Sequence, residues 1–371
     1  MSGTLDDLRA EIDSVEQTEQ VPTNPARMSR RDRRQLLIAG AAGLSASGLL
    51  CGLMDWTSPL TFGIWAVLWF LLAAWLLARD TSSPVVAADR LVTTLVWLAG
   101  FAAVGVLLWM VIYVLWQGIP GLSLEFLTSD LSDVGPLDPG GGAFHAIVGT
   151  LEQMVIASVI SIPIAVLTAI YLNEIKGRMT PVIRFVVDAM SGLPSIVAGL
   201  FIFTVVVAPG TASLDWGYSG FATSLALAIL MIPIVTRASE EMLRTIDDGL
   251  RESALALGAP QWRTALRVVV PTARSGLITA SILGAARAIG ETAPALLTSS
   301  GSDITNLNPF SGQQANLPLY VYQLITKSQG NEVQAERGWA GAVVLLALVL
   351  ILFVSARWIG SRGDRKRGIR R

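Results

Sequence analysis

The chain has 371 residues, of which 52% are hydrophobic and only 15% charged, with a mean hydropathy of +0.57. That composition excludes the pair of soluble domains its length alone would suggest and points to a protein that crosses a membrane many times. A net charge of −1, one cysteine (Cys51) and one histidine (His145) exclude bulk attraction to nucleic acid, a disulfide within the chain and a Cys/His metal cluster.

Residues 1–35 read as a cytoplasmic tail. Its first 26 residues are polar and acidic, with the composition of a disordered segment. The run "SRRDRRQLLIAG" has two readings: a twin-arginine export signal, or arginines that hold the N-terminus inside. The sequence favours the second, because no A-x-A cleavage site follows and seven further apolar segments do. Segments 36–53 and 60–78 approach spanning length, and Cys51 in the first reads as a lipid-facing or packed residue. Segment 91–116 is the third span. Residues 118–144 then carry four acids, no base and "DPGGGAF", a flexible, turn-rich approach to the next helix.

Five more spans are predicted at 145–171, 182–208, 220–236, 276–298 and 339–356. His145 reads as an interfacial residue rather than a ligand. Glu152 either faces a path or is a packed or interfacial carboxylate. Arg184 and Asp188, four apart, read as a pair at the inner end of the fifth span. Pro163, Pro194, Pro233 and Pro294 lie within spans, where each frees a carbonyl and bends the helix. Residues 299–338 form a polar loop in which "LPLYVYQL" reads as a short amphipathic helix at the outer surface, and residues 358–371 form a basic tail.

The basic residues orient this pattern. Twenty-four of the 27 fall on one side of an eight-span arrangement, two (Lys327 and Arg337) on the other, and Arg287 within a span. The split predicts both termini on the cytoplasmic side.

Two features are not needed by a plain bundle of spans. The first is the cytoplasmic loop 237–275, in which Leu243, Ile246, Leu250, Ala254 and Leu257 recur at helical spacing and Gly258 supplies a stop. "APQWRTALRVVV" restarts a helix with Trp262, Leu266 and Val269 on one face. The pattern predicts two short helices meeting at a Gly-Ala-Pro corner, a docking knob for another protein. The second is "GAARAIGETAPALL", residues 284–297, which puts Arg287 and Glu291 inside an apolar span. Each costs about 2.5–3.5 kcal/mol there on insertion scales, so their shared helical face points to the protein interior or a water-filled path. Arginine suits a tetrahedral oxyanion because its planar fork gives two parallel hydrogen bonds. Glu291 either offsets Arg287 or accepts a hydrogen bond from a protonated phosphate; the competing reading is an ion pair that locks helices. Gly284, Ala285 and Gly290 read as sites of close helix packing.

The loop resembles the signature of ABC importer permeases: E-A-A, three residues, G, nine residues, I-x-L-P. This chain has Glu252-Ser253-Ala254, then Gly258 and Ala259, then Val268-x-Val270-Pro271. "ARAIGETAPALL", "SGLPSIVAGLFIF" at 191–203 and "LPLYVYQLI" resemble the permeases of phosphate ABC importers, the PstA-type subunit in particular. The resemblance covers 145–357. It implies an all-α polytopic membrane protein of the type I ABC importer (MetI-like) fold. Residues 91–144 and 145–357 would supply a six-helix core preceded by two extra N-terminal spans within 36–80.

In that family the signature loop inserts into a separate ATPase subunit, which would place Glu252, Ser253, Ala254, Gly258, Ala259 and Pro271 at the ATPase contact. The chain itself is expected to be no enzyme. It holds no G-x-x-x-x-G-K-[ST] phosphate loop, and ATP and Mg would be bound by the partner. The implied partners are a PstC-type second permease, a PstB-type ATPase dimer and a PstS-type extracytoplasmic phosphate-binding protein, in the plasma membrane of a prokaryote. Another oxyanion, molybdate or sulfate, is the alternative substrate. A self-sufficient channel or carrier is the rival class, and no internal repeat supports it.

Overall fold

The computed structural model describes residues 30–81, 84–135, 137–208, 216–328 and 330–365. The acidic segment 1–26 and the last six residues of the basic tail lie outside them. The chain divides into two compact units, one up to Trp109 and one from Met110 onward.

The first unit is built on a helical hairpin of α1 (Arg30–Leu53) and α2 (Pro59–Thr81). Ala39, Gly43, Ser47 and Cys51 recur every four residues along α1. Ala39, Ser47 and Cys51 are buried, so Cys51 is packed. A Cβ on Gly43 would come within 2.9 Å of the Ala66 carbonyl oxygen and the Phe70 nitrogen. Ser47 Oγ donates to the Phe62 carbonyl at 2.8 Å. Small residues let the two backbones approach, as in other membrane helix pairs. The third helix, α3 (Pro84–Gly118), begins in this unit. Trp97, Phe101, Val106, Leu107 and Trp109 are exposed on different sides of it.

The second unit contains the end of α3, a single turn α4 (Leu124–Thr128), and α5 (Phe144–Ile170), which continues as a π-helical turn over Tyr171–Ile175. It continues with α6 (Thr180–Ser191), α7 (Ser195–Ile202) and α8 (Gly220–Arg244). Then come α9 (Asp248–Ala256), α10 (Gln261–Thr264) and α11 (Val270–Thr272), the last two joined by a π turn at Ala265–Val269. The unit ends with α12 (Arg274–Ile289), α13 (Ala293–Thr298), α14 (Leu317–Lys327) and α15 (Glu332–Arg365). Its core lies where α5 and α8 pack along each other: Ala157, Leu227, Ala228 and Met231 meet Ala285 and Ala288 of α12. Gly284 belongs to this contact, since a Cβ there would overlap Val235 of α8.

Six helices among the described residues are long and apolar enough to cross a membrane, and two bent pairs could raise the number to eight. The predicted fifth span is one of these pairs. α6 and α7 are not one straight helix but turn by 103° at Gly192–Pro194. Pro194 has no N–H to continue α6 and restricts Leu193 before it. The predicted seventh span is also interrupted. α12 stops at Ile289, capped by Gly290, and α13 restarts at Ala293. Pro294 lacks the N–H that would bond the Gly290 carbonyl, and its ring would collide with that oxygen in a continuous helix. Gly290 is therefore a helix terminator and not the close-packing site expected: apart from the Arg287 carbonyl at 3.8 Å, nothing lies within 4 Å of where its Cβ would be. By contrast Pro163 and Pro233 are accommodated inside α5 and α8.

The loop 118–144 is not the flexible approach its glycines suggested. Arg337, 6% exposed on α15, donates through Nε to the Gly140 carbonyl at 2.9 Å and through its other nitrogens to the carbonyls of Gly135 and Asp138. Asp130 accepts from Thr305 N and Oγ1 at 3.0 and 2.9 Å, tying this loop to residues 299–316. Those residues are seated on α5 by buried amides. Gln153 Nε2 donates to Gln314 Oε1 at 3.1 Å, and Asn316 Nδ2 donates to Gln153 Oε1 at 3.0 Å. Glu152 is resolved as a packed carboxylate, accepting from Gln314 Nε2 at 2.6 Å. His145 is 2% exposed and edge-on to Tyr320, so it is buried rather than interfacial. The "LPLYVYQL" helix is present as α14, with Leu317, Leu319 and Tyr320 buried.

Hydrogen bonds from Ser132 and Thr305 hold the Asp130 carboxyl well below its ordinary value of 3.8. A carboxylate depressed on folding contributes stability that is present above its unfolded pKa and lost as pH falls through the folded one. Acidification from about pH 5 to about pH 2 is expected to open loop 299–316 to protease in the wild type. Asp130→Asn should show the open cleavage pattern already at neutral pH, with a weaker pH dependence.

Candidate functional site

The knob predicted at 237–275 is present. α8 runs on to Arg244, so Leu243 and Ile246 belong to its end and the turn after it, not to the first knob helix. Asp247 caps α9, its side chain accepting from the Gly249 nitrogen at 3.2 Å. Gly258 ends the helix with φ +82. Its N–H bonds the Leu255 carbonyl at 2.9 Å, and the Ala259 N–H bonds the Ala254 carbonyl at 3.2 Å. This pair of bonds is a Schellman motif, in which the left-handed residue is normally glycine. Pro260 then starts α10, completing the Gly-Ala-Pro corner.

The second arm departs from the prediction. Trp262 and Leu266 are exposed whereas Val269 is fully buried. The π turn at Ala265–Val269 inserts an extra residue and rotates Val269 off the face that carries the other two. The knob therefore presents Leu255, Leu257, Trp262 and Leu266 to the surroundings, Leu257 with 88% of its surface exposed. Glu252 and Ser253 are exposed beside them, Ala254 and Ala259 are half-buried, and Pro271 lies in the first turn of α11.

Arg251 was not singled out by the sequence, and neither was Glu174. Arg251 Nη2 lies 2.9 Å from Glu174 Oε1, and Nε lies 3.1 Å from Oε2. Its Nη1 donates to the Ile246 carbonyl at 2.6 Å and Asp248 Oδ1 at 2.8 Å, and its Nη2 to the Leu243 carbonyl at 2.7 Å. Gln261 Nε2 donates to the Glu174 carbonyl at 2.7 Å. The hydrogen bonds that Arg251 donates to Glu174 raise its pKa above the ordinary value, against an opposing effect of burial. A cleft of about 400 Å³ opens beside the pair, lined in part by Asn173, Lys176, Arg244, Leu255 and Thr264. The available signal was Glu174 itself, an acid in a short connection otherwise marked by Lys176 and Arg178.

Arg184 and Asp188 are not a pair with each other. Arg184 reaches Glu240 of α8 at 3.3 Å and Asp188 pairs with Arg237, which also holds Glu240 at 2.9 Å. The four side chains join α6 to α8, a cross-helix alternative that α6's bend makes available.

Arg287 and Glu291 do not share a helical face, because the helix ends between them. Glu291 lies in the break Gly290–Thr292, half-buried, and Arg287 is exposed in the last turn of α12. Among the described residues the two form no ion pair. The break abuts another: a Cβ on Gly199 of α7 would stand 2.8 Å from the Pro294 Cα of α13. The two restarting helices thus pack closely where both spans are interrupted. No group of three or more His, Cys, Asp or Glu among the described residues is placed to hold a metal ion.

A bundle of spanning and broken helices that carries a capped two-helix knob has the architecture of an ABC importer permease, the all-α fold expected above. The chain belongs to the family of binding-protein-dependent transport system inner membrane components, which it matches over residues 161–364. It is 40% identical over 262 residues to "Phosphate transport system permease protein PstA 1" of Mycobacterium tuberculosis, covering 70% of this chain and 82% of that protein. It is 36% identical over 273 residues to the "Phosphate transport system permease protein PstA" of Pasteurella multocida, covering 72% and 93%. In fold it is similar to a chain of a bacterial alginate ABC transporter, crystallised with its pentasaccharide-bound periplasmic protein. The TM-score is 0.51 at 15% identity, over 77% of this chain and 97% of that one.

Gly258→Val is expected to destabilise the knob by about 1–2 kcal/mol, since a β-branched residue resists the left-handed conformation. Gly258→Asn should be better tolerated. Hydrogen exchange at the amides of residues 258 and 259 reads the cap directly, and equal protection in all three proteins would contradict it.

Proposed function

We propose that this inner-membrane permease component imports inorganic phosphate, pairing with a similar PstC-type permease around a shared path. A PstB-type ATPase dimer would sit below it and a PstS-type binding protein above. The observation that carries the reading is the knob: an exposed apolar tip on a helix that is capped and clamped to the bundle. Such a tip fits a groove in a separate subunit; on this reading Glu252, Ser253, Ala254, Gly258 and Ala259 in the first arm and corner, and Pro271 at the end of the second arm, form the contact. The two relatives described above, both named for phosphate transport, support the substrate.

The charge split sets the orientation of this reading, with eight spans, both termini and the knob on the cytoplasmic side. Domain limits follow: the extra spans within 36–80, the first core helix and outer loop within 91–144, and the transport domain at 145–357. ATP and Mg belong to the ATPase. Closure of the ATPase dimer would move the 250–271 segment and open the path outward, and hydrolysis would return it.

Arg287 is the proposed anion contact. It is an exposed guanidinium without an intrachain partner among the described residues, in a segment where burial in lipid is costly. A water-filled path relieves that cost. Glu291 follows it in the break; on this reading it offsets the charge or accepts from the P–OH of protonated phosphate.

In vesicles holding the full complex, Arg287→Gln is expected to abolish ATP-dependent uptake of labelled phosphate while loaded binding protein still stimulates hydrolysis. Unchanged uptake would remove Arg287 from the path. Glu291→Gln should weaken discrimination between phosphate and sulfate or molybdate; intact selectivity would rule out recognition of the P–OH. Uptake of sulfate or molybdate in preference to phosphate by the wild type would replace the proposed substrate.

A further inference from the structure

Among the described residues α9 buries none of its side chains. None of its residues belongs to the apolar clusters of the unit, and Leu250 and Leu255 are exposed. The side-chain hydrogen bonds that tie α9 to the rest of the protein are those of Arg251. One fork of the guanidinium holds the Glu174 carboxylate at the end of α5. The remaining donors hold the carbonyls of Leu243 and Ile246 at the end of α8, and Asp248 of α9 itself. Arg251 is 17% and Glu174 6% exposed at the side chain, so the contact is shielded from competing water.

Chain connectivity joins the knob to α8 and α12, but α5 is 77 residues away. Glu174 supplies its polar link to both arms of the knob, through its carboxylate to Arg251 and through its carbonyl to Gln261. The guanidinium is planar, and two parallel bonds to one carboxylate resist rotation in a way that a single point contact does not. We propose that the Arg251–Glu174 pair is the joint through which a push on the exposed tip of α9 rotates α5 together with α8. Arg251 is thus a positioning residue for transport. The proposal rests on the reading of residues 237–275 as the ATPase contact.

The test uses the complete complex in proteoliposomes and measures labelled phosphate imported per ATP hydrolysed, with retention of the ATPase subunit on purification as a second readout. Glu174→Gln, which keeps the shape of the side chain, and Arg251→Gln are each expected to retain the ATPase. Both should lower the transport-to-hydrolysis ratio by about fivefold, a discounted value for a pair that is not fully buried. The double variant should be no worse than the worse single one, as for two residues acting through one contact. Arg251→Lys restores the charge without the fork and should fall between Arg251→Gln and wild type.

A wild-type ratio in both glutamine variants would overturn the joint. Loss of the ATPase subunit from Glu174→Gln would also overturn it, by showing that the pair only shapes the docking surface. Leu257→Asp serves as the separate control for the contact. Its loss of the ATPase upholds the reading of the loop, whereas full retention with normal hydrolysis ends that reading and the joint with it.

Discussion

Inside a bilayer a chain that leaves the helix must satisfy its backbone polar groups within the protein or against water. This chain leaves the helix twice within predicted spans, at Gly192–Pro194 and at Gly290–Thr292. In both places a glycine closes one helix and a proline prevents its continuation. The two restarted helices then pack against each other, with Gly199 giving the Pro294 backbone room to approach. The arrangement accounts for two charged residues in so apolar a segment. Arg287 and Glu291 sit at an interruption, where the protein has already given up the shielding of a continuous helix.

The two ends of the second unit are stabilised by different means. At the end bearing residues 118–144 and 299–316, many weak contacts are spread over loops: four hydrogen bonds reach the Asp130 carboxylate, three carbonyls hold Arg337, and buried amides seat Gln314 and Asn316 on α5. At the knob end, one arginine gathers the ends of α5, α8 and α9.

Much of the fold was legible because bilayer thickness imposes a length on apolar segments. The knob was legible from Gly258 and Pro260, whose backbone preferences are local. The breaks were harder to see. Residues 276–298 have the length and apolarity of one span, and only the four-residue spacing of Gly290 and Pro294 shows that a helix cannot pass. The partners of Arg184, Asp188 and Arg251 were not legible at all. Arg184 and Asp188 have a plausible neighbour in sequence, but their partners come from α8, some 50 residues on. Likewise the glycines of "DPGGGAF" signal a loop that turns freely until Arg337, from the far end of the chain, accounts for its carbonyls. Long-range polar pairing leaves no periodic trace.

The hairpin of α1 and α2 closes upon itself. Its four small residues, spaced to lie on one side of α1, meet the neighbouring helix backbone, and its one buried hydroxyl is satisfied by Phe62. Such a pair can be released into the bilayer as a finished piece while the rest of the chain is still being synthesised. It also forms a natural unit of evolutionary gain and loss, because adding or removing two spans together preserves the sidedness of everything that follows.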